Sequence, residues 1–272
     1  MMVTWWQAAL LGILQGATEF LPISSSGHLV LVPWLLGWKS PSLAFDAMLH
    51  LGTAVAVAIY FRDDLIDLVR GGLHILKEHD LKDKNARLLT LIIVGSIPAA
   101  LAGFLLEDFF AGIFENPPFA AVFLLVTAAL LFAAERIGKL ARSLDALTLP
   151  DSVVIGVAQA FAIFPGISRS GSTIAAGLAR SLDRTAAARF SFLLSVPVVA
   201  GAGLFKLKDL LDVPDLGAAL PAMAGGFIAA LVVGYLCIAG LLRYLRGGRL
   251  LIFSAYCALF GTFCLIVAAA RV

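Results

Sequence analysis

Long apolar runs parted by short polar stretches set the pattern of this chain. A helix that crosses a bilayer needs about 20 mostly apolar residues. Six stretches meet that length: roughly 43–62, 88–107, 119–136, 186–205, 219–242 and 250–270. Two more apolar regions, 5–37 and 151–181, are each interrupted midway by proline, glycine and a cluster of serines. Non-helical backbone at membrane depth is tolerated only where protein buries it or where it lines a wet cavity. Both regions therefore predict a helix, a break and a returning helix, a hairpin that enters the membrane and comes back. The segment 62–87, RDDLIDLVRGGLHILKEHDLKDKNAR, mixes both charge signs and predicts an amphipathic surface helix followed by a solvated turn. His74 and His79 within it are five apart, a poor spacing for a shared ligand.

Set against itself at an offset of 144 residues, the chain shows an internal repeat. GILQGATEFLPISSSG (12–27) falls on GVAQAFAIFPGISRSG (156–171), with seven of sixteen positions identical, among them Gln15/Gln159, Ser24/Ser168 and Ser26/Ser170. Three spans follow each copy. Because three is odd, the second copy is inverted relative to the first, and paired broken segments in inverted halves place a site where their tips meet near the midplane. The expected fold is an all-α integral membrane protein of six transmembrane helices plus two broken re-entrant hairpins. It forms one membrane domain, 1–272, built from a first repeat, 1–142, and an inverted second repeat, 143–272.

Charge adds an orientation. The segments 62–87, 136–142, 180–189 and 243–249 hold fifteen basic residues on one side, against Lys39, Lys206, Lys208 and Arg271 on the other. By the positive-inside rule the fifteen are cytoplasmic and both termini face outward. Arg169 belongs to neither side and lies at the break of the second hairpin. Composition agrees with the membrane reading: 61% of residues are apolar, 14% are charged and the mean hydropathy is +0.97. A net charge of +2 is too small to point to nucleic acid. Cys237, Cys257 and Cys264 lie in apolar stretches without metal spacing and read as small buried hydrophobes. No basic residue precedes Lys39 and no small-residue cleavage site is evident, which argues against a removable signal peptide.

Ionisable groups at membrane depth are costly and mark function. All but two of the eighteen acidic residues sit in loops or at span ends, the exceptions being Glu19 and Asp46. With them come His28, His50, four residues after Asp46 and so on its helix face, and Arg169. In the second hairpin Pro165 and Gly166 break the incoming helix. Ser168, Arg169, Ser170, Ser172 and Thr173 then open the outgoing one. A helix N-terminus offers unpaired N–H groups and partial positive charge, and an arginine fork matches phosphate, so this end predicts a phosphate cradle. The first hairpin supplies the complement: Gln15 and Glu19 on one face, Ser24, Ser25 and Ser26 at the break, then His28. Carboxylate, hydroxyl and imidazole suit acid–base or nucleophilic chemistry, and Glu19 alternatively suits a hard divalent cation.

Four stretches, QGATEFLPISSSGH (15–28), FDAMLHLGT (45–53), PGISRSGST (165–173) and FSFLLSVP (190–197), carry an end-to-end resemblance to the bacitracin-resistance family of undecaprenyl-diphosphate phosphatases. The resemblance implies an enzyme that removes one phosphate from the C55 isoprenoid diphosphate carrier, recycling it for peptidoglycan synthesis. It further implies a divalent cation, magnesium ahead of calcium, a homodimer, and a site in the bacterial cytoplasmic membrane open to its outer side. Carried over by position, the family's acidic motif falls on Glu19, its serine and histidine on Ser25 and His28, and its phosphate-gripping part on Ser168, Arg169 and Thr173. Ser24, Ser26 and Ser170 join the expected cradle, with Asp46 and His50 in support. Where some members carry a glutamate, this chain has Gln15, so the chemistry leans on Glu19. The attacking group is expected to be Ser25 assisted by His28 and Glu19, with His28 itself or water as alternatives. The rival function is a carrier that moves a polyprenyl phosphate with the same cradle.

Overall fold

A computed structural model describes residues 4–39, 41–105, 116–206 and 215–271. Eleven α-helices run through them: α1 Trp5–Phe20, α2 Ser25–Leu36, α3 Leu43–Tyr60, α4 Arg62–Glu78, α5 Lys84–Leu105, α6 Pro117–Ile137, α7 Leu149–Phe161, α8 Arg169–Ala179, α9 Arg184–Lys206, α10 Leu216–Tyr244 and α11 Leu251–Ala270. No strand is named among the described residues. Five helices, α3, α5, α6, α10 and α11, are long and apolar enough to cross a membrane. The stretch expected at 186–205 forms the single 23-residue helix α9. Residues 106–107 of the expected second span and Lys208 of the outward basic set lie outside the described residues. The expected surface helix is α4, with Leu68 and Gly71 buried against α5 and its charged face outward.

Each apolar region expected to be interrupted is a helix pair. In α1 the buried positions Ala8, Leu11, Gly12, Gln15, Gly16 and Glu19 recur at helical spacing and form one face. That face is laid on α10, and it is small because the backbones nearly touch. A Cβ on Gly12 would stand 2.3 Å from the Gly226 carbonyl oxygen, and one on Gly16 would stand 2.6 Å from that of Ala230. Close approach of small residues substitutes for the hydrophobic drive that helices lack in lipid. In the second half α7 packs on α5 by the same device. Each half's first hairpin helix thus rests on a helix of the other half, and α3 and α9 pack on each other between them.

Both hairpins turn where the backbone leaves the helical region. Pro22 follows α1, and Ser24 takes φ 72°, a left-handed conformation costly for a residue with a side chain. Gly166 takes φ 98° and leaves no room for a Cβ, which would stand 2.2 Å from the Ala120 carbonyl oxygen of α6. The two breaks meet: a Cβ on Gly27 would stand 3.0 Å from the Gly166 Cα. α2 and α8 both lean on α6, so the N-termini of the two outgoing helices come together in the interior.

Beneath this meeting point lies the apolar core, with Phe20, Phe61, Phe190 and Phe192 fully buried and Phe20 edge-on to Phe192 at 5.5 Å. At the end of the molecule carrying α4, arginines are tied to acids. Arg142 and Arg180 both reach Asp151, at 2.7 and 2.6 Å, Arg189 reaches Asp64 at 2.6 Å, and Arg184 pairs with Glu135.

Candidate active site

Helix capping prepares the site. Ser24 is the N-cap of α2, its Oγ accepting from the Gly27 N–H at 3.2 Å, and Ser168 does the same for α8 with Gly171 at 3.0 Å. Each cap satisfies one orphan donor of its helix and leaves the first N–H groups, of Ser25 and Ser26 on one side and Arg169 and Ser170 on the other, without intrahelical partners. Two positive helix ends therefore converge on one place.

The charge that answers them is Glu19. It is 6% exposed and its oxygens are divided between the two hairpins. Oε1 accepts from Arg169 Nη2 at 2.7 Å. Oε2 accepts from Ser25 Oγ at 2.6 Å and from Gln15 Nε2 at 3.1 Å, with His50 Nε2 4.0 Å away. Arg169, 15% exposed, holds a second, longer contact to the Ser191 carbonyl at 3.4 Å. At the offset of 144 residues Ser25 and Arg169 occupy the same place in the two copies, each the first residue of its outgoing helix, and both point at one carboxylate.

Of the residues expected at the two breaks, Ser25, Ser26 and Arg169 are partly exposed. The remaining hydroxyls are buried, and all but Ser172, whose Oγ has no hydrogen-bond partner, are engaged in building the site. Ser24 and Ser168 cap their helices, Ser170 donates to the Leu21 carbonyl at 3.1 Å, and Thr173 meets Ser191 Oγ at 2.6 Å. Thr127 of α6, which the sequence reading did not single out, braces the second break by donating to the Gly166 carbonyl at 2.9 Å and accepting from the Ser168 N–H at 3.0 Å. Asp46 and His50 stand half-exposed in the first two turns of α3, and His50 Nδ1 donates to the Asp46 carbonyl at 2.8 Å.

His28 is not paired with Ser25. Its Nδ1 lies 2.7 Å from the Ser24 carbonyl oxygen and its Nε2 lies 2.8 Å from the hydroxyl of Tyr256 on α11. No local signal pointed to Tyr256, which is 228 positions away in the chain.

The donor set bears on a metal. Among the described residues no three His, Cys, Asp or Glu side chains gather as a cage. Glu19 and Gln15 Oε1, an oxygen buried without a hydrogen-bond partner, are nonetheless hard oxygen donors. A magnesium-type ion is usually held by one or two carboxylates and completed by substrate phosphates and water, and this pair fits that arrangement.

Comparison with known proteins covers nearly the whole chain. The family profile described as bacitracin resistance protein BacA matches residues 8–263. A protein of Moorella thermoacetica named undecaprenyl-diphosphatase is 46% identical over 250 residues, covering 92% of each chain. Another of that name from Methanosphaera stadtmanae is 44% identical over 270 residues, 96% of each chain. A third, from Synechococcus elongatus, is 44% identical over 261 residues, 94% of this chain and 90% of its own.

Proposed function

Because this chain belongs to the bacitracin resistance protein BacA family, we propose that it hydrolyses undecaprenyl diphosphate to undecaprenyl phosphate and inorganic phosphate, with the Glu19–Ser25–Arg169 hub as its active site. The observation that carries the assignment of roles is the 2.6 Å bond from Ser25 Oγ to Glu19 Oε2, a nucleophile already seated on a base. A carrier that only gripped a lipid phosphate would need Arg169 and the two helix ends, but no such bond.

The mechanism starts from an exchange of anions. The terminal phosphate takes the guanidinium of Arg169 and the free N–H groups of the two helix ends, sites now answered by Glu19. With Arg169 turned to the phosphate, Glu19 is left to accept the proton of Ser25. Ser25 Oγ bonds to the terminal phosphorus, the bridging P–O bond breaks, and the lipid monophosphate leaves with the proton that Glu19 held. His28, three residues beyond Ser25 on the same helix face, takes a proton from the water that cleaves the phosphoserine and passes it to Ser25 Oγ as the P–O bond breaks, so that inorganic phosphate leaves and both residues return to their resting states. Glu19 and Gln15 Oε1 would hold a divalent cation, which would supply neutralisation of the diphosphate charge.

The same reading takes in the architecture: six spans and two re-entrant hairpins in inverted repeats, 1–142 and 143–272. The repeated motif and the crossed packing of α1 on α10 and α7 on α5 support it. Half-exposed Asp46 and His50 lie toward the end that bears Lys39, which supports access from the outer side of the membrane. The test is release of inorganic phosphate from undecaprenyl diphosphate by the purified protein, with and without chelator. Wild type should turn over and lose activity on chelation, and Ser25→Ala should be inactive. Full turnover in Ser25→Ala would remove the serine from the chemistry.

A further inference from the structure

The ring of His28 is held at both nitrogens and on its face. A carbonyl oxygen only accepts, so the 2.7 Å contact with the Ser24 carbonyl places the imidazole proton on Nδ1. Nε2 is then a lone pair, and the partner able to donate to it at 2.8 Å is the Tyr256 hydroxyl. Tyr256 and Phe260 are four residues apart on α11 and so share one face. Both of their rings lie nearly parallel to the imidazole, with centroids 5.6 and 4.9 Å from it and planes inclined by 10° and 14°. The imidazole is 1% exposed, so the Ser24 carbonyl sets the tautomer of a buried ring and one helix from the far end of the chain holds its tilt and its Nε2 edge.

We propose that Tyr256 is a positioning residue for the reaction, acting through His28. Its hydroxyl keeps Nε2 unprotonated and engaged in the resting site. It gives up that nitrogen when the phosphoserine has formed and water needs a base. A tyrosine at a lipid-facing helix needs some polar partner for its hydroxyl, and that need alone would be met by any carbonyl. What distinguishes the contact is its choice of a lone pair whose identity is fixed by a second bond from the opposite edge of the ring. The inference rests on the phosphohydrolase reading above.

The test uses the full chain in lipid nanodiscs with 15N-labelled histidine rings. Only four histidines are present, and His28→Asn assigns the signal. Tyr256→Phe keeps both ring contacts and removes one O–H. Its His28 Nε2 resonance should move downfield, to the position of an acceptor without a donor. In the same variant kcat should fall by about tenfold, because the ring's aim is no longer fixed when water needs a base, with KM nearly unchanged. A resonance and a kcat both equal to wild type would overturn the proposal. So would an equal loss of kcat in Tyr256→Phe and Tyr256→Leu with the resonance unmoved, which is the mark of packing alone. Should Tyr256→Phe fail to fold, the wild-type spectrum decides, because a protonated Nε2 or a free acceptor there is incompatible with the contact. A wild type that released no phosphate would strike the phosphohydrolase reading, and the resonance comparison would still decide whether Tyr256 holds the ring.

Discussion

Replacing Glu19 by glutamine separates two things this carboxylate does. Glutamine has nearly the same shape, but it carries one acceptor oxygen where glutamate has two and no charge. Facing Arg169 with its oxygen, the new side chain turns its NH2 toward Ser25 and Gln15, so Ser25 loses the acceptor now 2.6 Å away. Gln15 adapts by turning its own amide, since its Oε1 is without a partner. Removing a positioned general base costs about 10²–10⁴-fold in rate. Arg169 gains what Ser25 loses. A hydrogen bond to a charged group contributes about 1.5–3 kcal/mol net, and in wild type the substrate phosphate competes with Glu19 for that guanidinium. With the competitor neutralised, phosphate should bind about tenfold more tightly or better, since about 1.4 kcal/mol is a factor of ten. Glu19→Gln should therefore lower kcat steeply and lower KM as well. The assay is phosphate release against substrate concentration, with Kd for a non-hydrolysable diphosphate as the binding arm and thermal unfolding as the folding control. A folded variant whose Kd, measured in chelator, is higher than that of wild type would refute the competition between Glu19 and substrate, and one with wild-type kcat would take Glu19 out of the chemistry.

Arg169→Lys keeps a charge and loses the planar fork, so kcat/KM should remain a hundredfold or more below wild type, on the order of the cost of one transition-state contact; recovery to within threefold of wild type would assign Arg169 a general electrostatic role only. Gly166→Ala places a Cβ 2.2 Å from the Ala120 carbonyl at φ 98°. It should destabilise by about 2–5 kcal/mol from strain and overpacking together, read by thermal unfolding in detergent. Gly225→Ala, whose Cβ would meet nothing within 4 Å, should not. For the inverted arrangement, Lys39→Cys and Lys82→Cys, each in a chain with Cys237, Cys257 and Cys264 replaced, should label from opposite sides of a sealed membrane; labelling of both from one side would falsify it.

Features that depend on neighbours in the chain were legible in the sequence. The breaks at Pro22–Ser24 and Pro165–Ser168 declare themselves through residues that cannot continue a helix. Gln15 and Glu19 share a face by their spacing alone. Glu19 and Arg169 stood out because charge at membrane depth is rarely idle. Hydroxyls were harder to place. Ser24, Ser168, Ser170 and Thr173 read as phosphate donors, yet their side chains cap helices or tie one hairpin to the other. Which bond a serine makes depends on local φ and ψ and on what approaches from another helix, and composition records neither. The bracing by Thr127 and the contact between Tyr256 and His28 join residues far apart in the chain, one from each of two otherwise ordinary apolar helices. A single polar group in such a helix looks the same whether it packs or positions.

The crossed packing of the halves also orders the assembly in time. Glu19 leaves the ribosome 150 residues ahead of Arg169. At about 5–20 residues per second the carboxylate waits roughly 8–30 s for its counter-charge. Through that interval the first hairpin has neither its guanidinium nor the glycine-lined helix α10 that receives α1. An unpaired acid is expensive in the bilayer core, so a first hairpin without its counter-charge is expected to sit shallowly until the second half is inserted. The final docking is then a late, cooperative step in which ion pair and helix contact form together. A chain truncated before α8 has no route to that step, and it keeps its acid unpaired and its small-residue face uncovered.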